Sequence, residues 1–295
     1  MVGDKLTIYN TDGDVFSGLE AKKIASGFQF TEGPVWHPDG FLLFSDIPAN
    51  KIYQLFPGQA ATVYLDGSGF TGTDTSLLSD QPGSNGLALD HEKQLIICQH
   101  GNHAIACLDK NNKINCLTNS YEGRPYNSPN DLVISINGSI YFSDPPYGLK
   151  DQVLHPSVFQ HHAGLYRYYK GEVKLLHTNL RYPNGVCLSP GEQFLYNGSN
   201  HPDEPVIWRY SLSKNGEIRN QSVLIEQNAD GIKTDEQGRL FLATNEGVLI
   251  VSASGKKLAL IPLPESPANL AWGGQNNKEL YVTARSSVYR IKNFV

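Results

Sequence analysis

One pattern recurs six times along this chain: a side-chain oxygen at the entrance of a short apolar strand, a polar turn, then a second apolar strand. A well-formed copy runs Asn130-Asp-Leu-Val-Ile-Ser-Ile-Asn-Gly-Ser-Ile-Tyr-Phe-Ser-Asp144, and the copies open at Glu32, Asn85, Asn130, Asn184, Asp230 and Asn269. They are separated by roughly 40 to 54 residues, and strand-rich repeats of that period are what propeller blades look like. Each interval has room for two more short strands, as at Lys51–Leu55 and Thr62–Leu65 or Pro205–Tyr210 and Ser222–Ile225. Four strands per unit and six units predict an all-β fold, a six-bladed β-propeller. The sixth unit, from Asn269 onward, holds only three strands. Its missing outer strand is supplied by Ala21–Ala25, which precedes Glu32 as Ser222–Ile225 precedes Asp230. An N-terminal strand that closes the last blade leaves no sheet edge open around the ring. The expectation is one domain over residues 1–295, with residues 1 to about 20 outside the ring as a surface extension.

A hydrophobic content of 40% with 18% charged residues suits a soluble chain with a sizeable core. The net charge of −5, with no single-sign runs, gives no reason to expect nucleic acid as a partner. No stretch approaches the roughly 20 apolar residues of a membrane span. The N-terminus shows no basic segment followed by an apolar run, so the expected setting is cytoplasmic. Cys98, Cys107, Cys116 and Cys187 lack C-x-x-C spacing, which argues against zinc or a redox pair. Cys98 and Cys107 flank the turn Gly101-Asn-His103 and could face each other across a hairpin; two reduced buried thiols is the simpler reading.

In a propeller the first strand of each blade lines the central channel, so the six leading side chains form a ring on one face. The second strand runs back, and its end returns to that face. A second column therefore joins the first: Asp46, His100, Asp144, Asn197 with Asn200, Asn245 and Arg285, with Arg124, Tyr126 and Tyr182 added by loops. A ring of Glu, Asp and Asn without His or Cys is a hard oxygen site, suited to Ca²⁺, Mg²⁺ or Mn²⁺ before Zn²⁺ or copper. Glu32 and Asp230 would balance one divalent ion while Asn130 and Asn184 supply neutral oxygens. Two carboxylates in a narrow channel are costly without a cation or proton. The competing reading is that Asn-Gly pairs merely cap turns. It is preferred for Asn85 and Asn269, but Glu32, in Thr-Glu-Gly-Pro, is a poor turn residue in the same register. His100 reads equally as a general base, a substrate contact or a hydrogen-bonded hairpin histidine. The irregular segment Leu149–Gly164, with His155, His161 and His162, reads as a lid rather than a metal site. No G-x-S-x-G elbow is present to support a serine hydrolase.

At these positions the chain resembles a known family. Thr31-Glu-Gly-Pro34, Ser128-Pro-Asn-Asp131, Tyr141-Phe-Ser-Asp-Pro-Pro-Tyr-Gly148, Tyr182-Pro-Asn-Gly185 and Ala229-Asp-Gly231 look like the gluconolactonase, regucalcin and luciferin-regenerating-enzyme family, from about residue 20 to the C-terminus. The resemblance implies a six-bladed propeller with one divalent cation in the channel, Ca²⁺ foremost and Mg²⁺, Mn²⁺ or Zn²⁺ as alternatives. Carried over, Glu32, Asn184 and Asp230 are metal ligands, and Asn130 lies beside metal and substrate. Arg124 loosely matches the family's substrate-contacting arginine. The expected activity is hydrolysis of a small-molecule sugar lactone by a monomer or weak homo-oligomer. Asp230 is the candidate base, Asn130 the candidate oxyanion donor, and Arg124, Tyr147, His100 and Asp144 the candidates for holding sugar hydroxyls. Two alternatives stand beside it. Diisopropylfluorophosphatase propellers resemble the same Glu/Asn/Asn/Asp channel, which suggests phosphotriester hydrolysis. A propeller binding module with a structural metal is the non-enzymatic reading.

Overall fold

The β-branched and aromatic runs between the turns become short strands, and their alternating apolar residues bury the faces of each sheet. A computed structural model describes residues 5–292 and 294, so part of the expected N-terminal extension, residues 1–4, lies outside the described residues. Blade one is built from Thr31–His37, Phe41–Asp46, Lys51–Leu55 and Thr62–Asp66; blade two from Ser84–Leu89, Leu95–Gln99, Ala104–Leu108 and Ile114–Thr118. Blade three uses Leu132–Ile134, Ile140–Asp144, Gly164–Tyr169 and Glu172–His177; blade four uses Pro183–Leu188, Phe194–Ser199, Ile207–Leu212 and Ile218–Ile225. Blade five uses Ile232–Thr234, Leu240–Thr244, Gly247–Val251 and Lys257–Pro262. Blade six takes Pro267–Gly273, Glu279–Ala284 and Ser287–Ile291 from the C-terminus and Ala21–Ser26 from the N-terminus. All pairings within the blades are antiparallel, and Lys22 lies opposite Arg290 where the ring closes. The chain is thus an all-β six-bladed propeller. Among the described residues helix occurs only as short 3₁₀ turns, none long and apolar enough to cross a membrane.

Six hydrophobic clusters hold the ring, one between each pair of neighbouring blades. Phe241, Val248 and Ile250 of blade five pack on Leu270, Leu280 and Val282 of blade six. Leu42 and Phe44 of blade one pack on Ala271, Tyr281 and Val288 of blade six across the closure. Truncating such a side chain, Phe44 to Ala for example, costs about 3–5 kcal/mol through lost transfer energy and a cavity. Ahead of the ring, Thr7–Ile8 adds a two-residue strand to the outer edge of blade five, and the 3₁₀ turn Thr11–Phe16 buries Phe16 against Phe241.

The repeated Asn-Gly pairs do not cap turns. Each lies in or beside a first strand, and the glycine is where the next blade comes closest. A Cβ on Gly86 would sit 2.7 Å from the Asn130 carbonyl oxygen, and one on Gly185 would sit 2.3 Å from that of Asp230. The Gly86 and Gly185 amides donate to those same carbonyls at 2.7 and 2.9 Å. Successive leading residues are thereby stitched to one another by backbone hydrogen bonds, which explains a glycine next to a ring residue without invoking a turn. The hairpin register also separates two cysteines. Cys98 pairs with Ile105 and Cys107 with Ile96, so they do not face each other, and all four cysteines are free thiols.

Candidate active site

Because the first strands all start at one end of the channel, their leading side chains converge there. Glu32, Asn85, Asn130, Asn184 and Asp230 line one cavity of about 190 Å³, with Phe30, Ile47, Gln81, Tyr147, Gln152, Asn200 and Arg285 completing its wall. Asn269 does not reach it: its Oδ1 accepts the Leu270 amide at 2.8 Å and lies 3.4 Å from Lys233 Nζ.

The hydrogen-bond accounts of these residues are incomplete in a specific way. Buried polar atoms normally have partners. Among the described residues six buried side-chain N or O atoms have none, and four of them, Asn85 Oδ1, Asn130 Oδ1, Asn184 Oδ1 and Asp230 Oδ1, line this one cavity. Glu32 Oε2 accepts the Gly33 amide at 2.7 Å. Burial, and then the neighbouring Asp230 carboxylate, push the Glu32 carboxyl well above its ordinary range. Burial also pushes Asp230 up to about 7, while the amides of Asn200 and Asn184 and the Arg285 guanidinium pull it down. Unpaired oxygens converge on two carboxylates that burial holds against ionisation, and a donor set of this chemistry fits a hard cation. Among the described residues no three His, Cys, Asp or Glu side chains cluster at metal-ligand range, so the candidate set is two carboxylates completed by amide oxygens.

Two further charges bear on the ring. Asp131 occupies the place that glycine holds after Glu32, Asn85, Asn184 and Asp230. Its Oδ2 accepts the Val186 amide at 3.1 Å and lies 3.6 Å from Lys233 Nζ. Lys233 belongs to the first strand of blade five, and its ammonium reaches Asp131 and also Asn269 Oδ1, at 3.4 Å. A fixed ammonium beside a third buried carboxylate leaves Glu32 and Asp230 as the pair without such a counter-charge.

The other sequence candidates fall in different places. Tyr147 lines the cavity, donates its hydroxyl to Asn200 Oδ1 and stacks on Tyr182, with ring centroids 5.6 Å apart; Tyr182 in turn stacks on His201 at 4.3 Å. His100 is fully buried behind Asn85. Its Nε2 accepts from the Asn85 amide at 3.1 Å, its Nδ1–H donates to the Gln81 carbonyl at 3.1 Å, and burial lowers its pKa to about 4. It is a neutral support for Asn85, away from the cavity lining. Asp144 accepts the Asn127 and Ser128 amides at 2.9 and 2.7 Å and clamps the loop before Asn130. Asp46 does the same for the Gln29 and Phe30 amides before Glu32, at 3.1 and 3.0 Å. Arg124 donates to the carbonyls of Pro156 and Phe159, at 2.8 and 3.3 Å, and so anchors the 149–164 insertion outside the channel. That insertion sends only Gln152 to the cavity wall. Asn85 and Arg285 line the cavity although the sequence makes neither a candidate site residue: Asn85 reads as a turn because Asn-Gly is such a common turn pair, and Arg285 stands in the second column without a role.

Fold and cavity together define a six-bladed propeller whose channel mouth gathers oxygen ligands. The chain belongs to the SMP-30/gluconolactonase/LRE-like family, whose profile matches residues 30–286. It is 33% identical over 294 residues to a gluconolactonase of Zymomonas mobilis, covering 95% of this chain and 82% of that protein. A gluconolactonase from Xanthomonas campestris superposes with a TM-score of 0.85 at 25% identity, over 98% of this chain and 95% of that one. Regucalcin from Agrobacterium tumefaciens, a calcium-binding protein, shares the fold with a TM-score of 0.74 at 18% identity, over 92% of each chain.

Proposed function

We propose that this chain is a metal-dependent lactonase that opens a sugar lactone of the aldono-1,4- or 1,5-lactone class. The observation that carries the reading is the set of four partnerless oxygens around two buried carboxylates in one cavity. Family membership and the names of the relatives, gluconolactonases among them, support lactone hydrolysis as the activity. Glu32, Asn184 and Asp230 hold one divalent cation, Ca²⁺ foremost, with Asn130 and Asn85 beside them. When bound, the cation supplies Lewis acidity toward the lactone carbonyl and charge compensation for the two carboxylates.

The chain's own groups do the rest. Asp230 faces the cavity with its Oδ1 unpartnered and is placed to accept a proton from the attacking water, leaving its second oxygen for coordination. The Asn130 side-chain N–H₂ makes no hydrogen bond within the described residues and is placed to donate to the oxygen that gains charge. Asn200 accepts from the Tyr147 hydroxyl beside Asp230 and draws that carboxyl down from the value burial alone would give it. The Tyr147–Tyr182–His201 stack gives the mouth a flat wall for a sugar ring.

The test is hydrolysis of glucono-1,5-lactone and of a phosphotriester under matched Ca²⁺, before and after chelation. Lactone turnover that chelation abolishes and Ca²⁺ restores is expected. Turnover of the phosphotriester alone would replace the lactonase with a phosphotriesterase. Cation-dependent thermal stabilisation without turnover of either would leave a binding module.

A further inference from the structure

A second cavity of about 210 Å³ lies beside the first, between blades five and six. The two share Phe30, Asn200, Asp230 and Arg285, so they adjoin, with Asp230 and Arg285 in the wall between them. The side chamber is walled by amide and hydroxyl groups: Asn228, Asn245, Thr244 and Ser266. The Asn228 N–H₂ is committed to the His201 carbonyl, whereas the Asn245 amide makes no hydrogen bond within the described residues.

Arg285 stands out on three independent grounds. It sits in the two-residue turn between Ala284 and Ser287, with a φ of 47°, a left-handed conformation that such turns normally give to Asn or Gly. Its carbonyl is pinned by the Thr31 amide and hydroxyl at 2.7 and 3.1 Å, one residue before Glu32, so the backbone is held rather than loose. Its guanidinium lies over the Phe30 ring, 5.4 Å from the centroid, and makes no hydrogen bond or ion pair within the described residues. A residue held in a disfavoured conformation, with a planar fork of donors left free beside the candidate catalytic carboxylate, is placed for a ligand rather than for the fold.

We infer that Arg285 and the side chamber form a substrate-arm and product-carboxylate subsite. The inference rests on the lactonase reading. In that reaction water adds to the carbonyl carbon, the ring C–O bond breaks, the ring oxygen takes a proton to become a hydroxyl, and the new acid loses a proton. A neutral ester becomes an anion at the place where the two chambers meet. Asn245 and Ser266 hold the hydroxylated arm, and Arg285 receives the carboxylate as a bidentate donor.

The test uses the full chain loaded with Ca²⁺, with gluconate titrated calorimetrically and glucono-1,5-lactone assayed in parallel. Arg285→Gln is expected to weaken gluconate at least about tenfold and to raise KM for the lactone by a similar factor, the loss of a charge-assisted hydrogen bond. Calcium affinity should not fall, since a nearby positive charge has been removed, and Arg285→Lys should recover part of the gluconate binding. Asn245→Ala should raise KM for gluconolactone but not for δ-valerolactone, which has no arm. Unchanged gluconate affinity and KM in Arg285→Gln would overturn the proposal. Should the wild type bind gluconate through Arg285 yet hydrolyse no lactone, the subsite would stand and the lactonase reading alone would fall.

Discussion

Four carboxylates near the channel mouth are all largely enclosed and differ in what faces their oxygens. Glu32, Asp46 and Asp144 are at most 2% exposed, and Asp230 opens only partly, onto the cavity. Asp46 and Asp144 each gather two backbone N–H groups from the loop before a ring residue. Glu32 has a single backbone donor, and one oxygen of Asp230 has no partner. A carboxylate whose lone pairs are used up by amides fixes backbone; one whose lone pairs are left facing its neighbour's charge waits for a ligand. The clamps build the mouth, and the ring pair faces into it with oxygens left unpaired.

The comparison predicts opposite phenotypes. Asp230→Ala should lose the cation and about 10³-fold in activity, the scale of removing a group that acts directly on developing charge. Its metal-free fold should be no less stable by thermal unfolding, because the substitution relieves two carboxylates of each other. Asp144→Ala should do the reverse. Leaving the Asn127 and Ser128 amides unpaired in the interior should cost about 3 kcal/mol in denaturant unfolding. Any activity lost should track the folded fraction. A stable but inactive Asp144→Ala would move that residue into the catalytic group and erase the distinction.

The same contrast was only half legible in the sequence. The six-bladed ring and its N-terminal closure could be read because blade strands are short, apolar and punctuated by turns, and because Ala21–Ser26 repeats the placement of other outer strands. Glu32, Asn130, Asn184 and Asp230 could be aligned because each opens a strand. What could not be read is anything that depends on the register between blades. Asn-Gly at Asn85 looks like a turn until Gly86 is seen packed on the Asn130 carbonyl. Asp144 ends its strand as Arg285 does, yet one turns inward to amides and the other outward to the cavity. Arg124 precedes a ring residue in sequence, but its guanidinium is taken by the carbonyls of the insertion. Asp131 ends the Ser128-Pro-Asn-Asp131 motif, yet nothing in the sequence pairs it with Lys233, which approaches it from the first strand of blade five, two blades on.

A raised pKa does not by itself separate the two groups, since burial also pushes the clamp Asp144 up to about 8; what separates the ring pair is the effect a cation has on its protons. Glu32 and Asp230 have folded-state pKa values raised above their unfolded ones, Asp230 to about 7. Without a cation, the stability associated with those protons is present at low pH and is lost as pH rises toward 7. A divalent cation binds the ionised pair. The stabilisation by Ca²⁺, read as a rise in Tm, should therefore be small at pH 5.5 and grow through pH 7 to 8, its free energy tending toward about 2.7 kcal/mol at a hundredfold excess over Kd. A shift independent of pH would mean that the cation binds elsewhere.

Lys233→Met gives the smallest expected effect. Removing the ammonium leaves Asp131 without its counter-charge, and calcium should bind about tenfold more tightly by titration calorimetry. Weaker binding would make Lys233 a scaffold for the ring rather than a charge opposing the ion.

Everything turns on whether the unpaired oxygens at the mouth hold an ion. Calcium titrated calorimetrically into chelator-stripped protein, wild type against Glu32→Gln/Asp230→Asn, reads this directly. One ion per wild-type chain and none in the double variant is the predicted result. Equal binding by both, or no binding by the wild type at millimolar calcium with Mg²⁺ and Mn²⁺ equally silent, would contradict it.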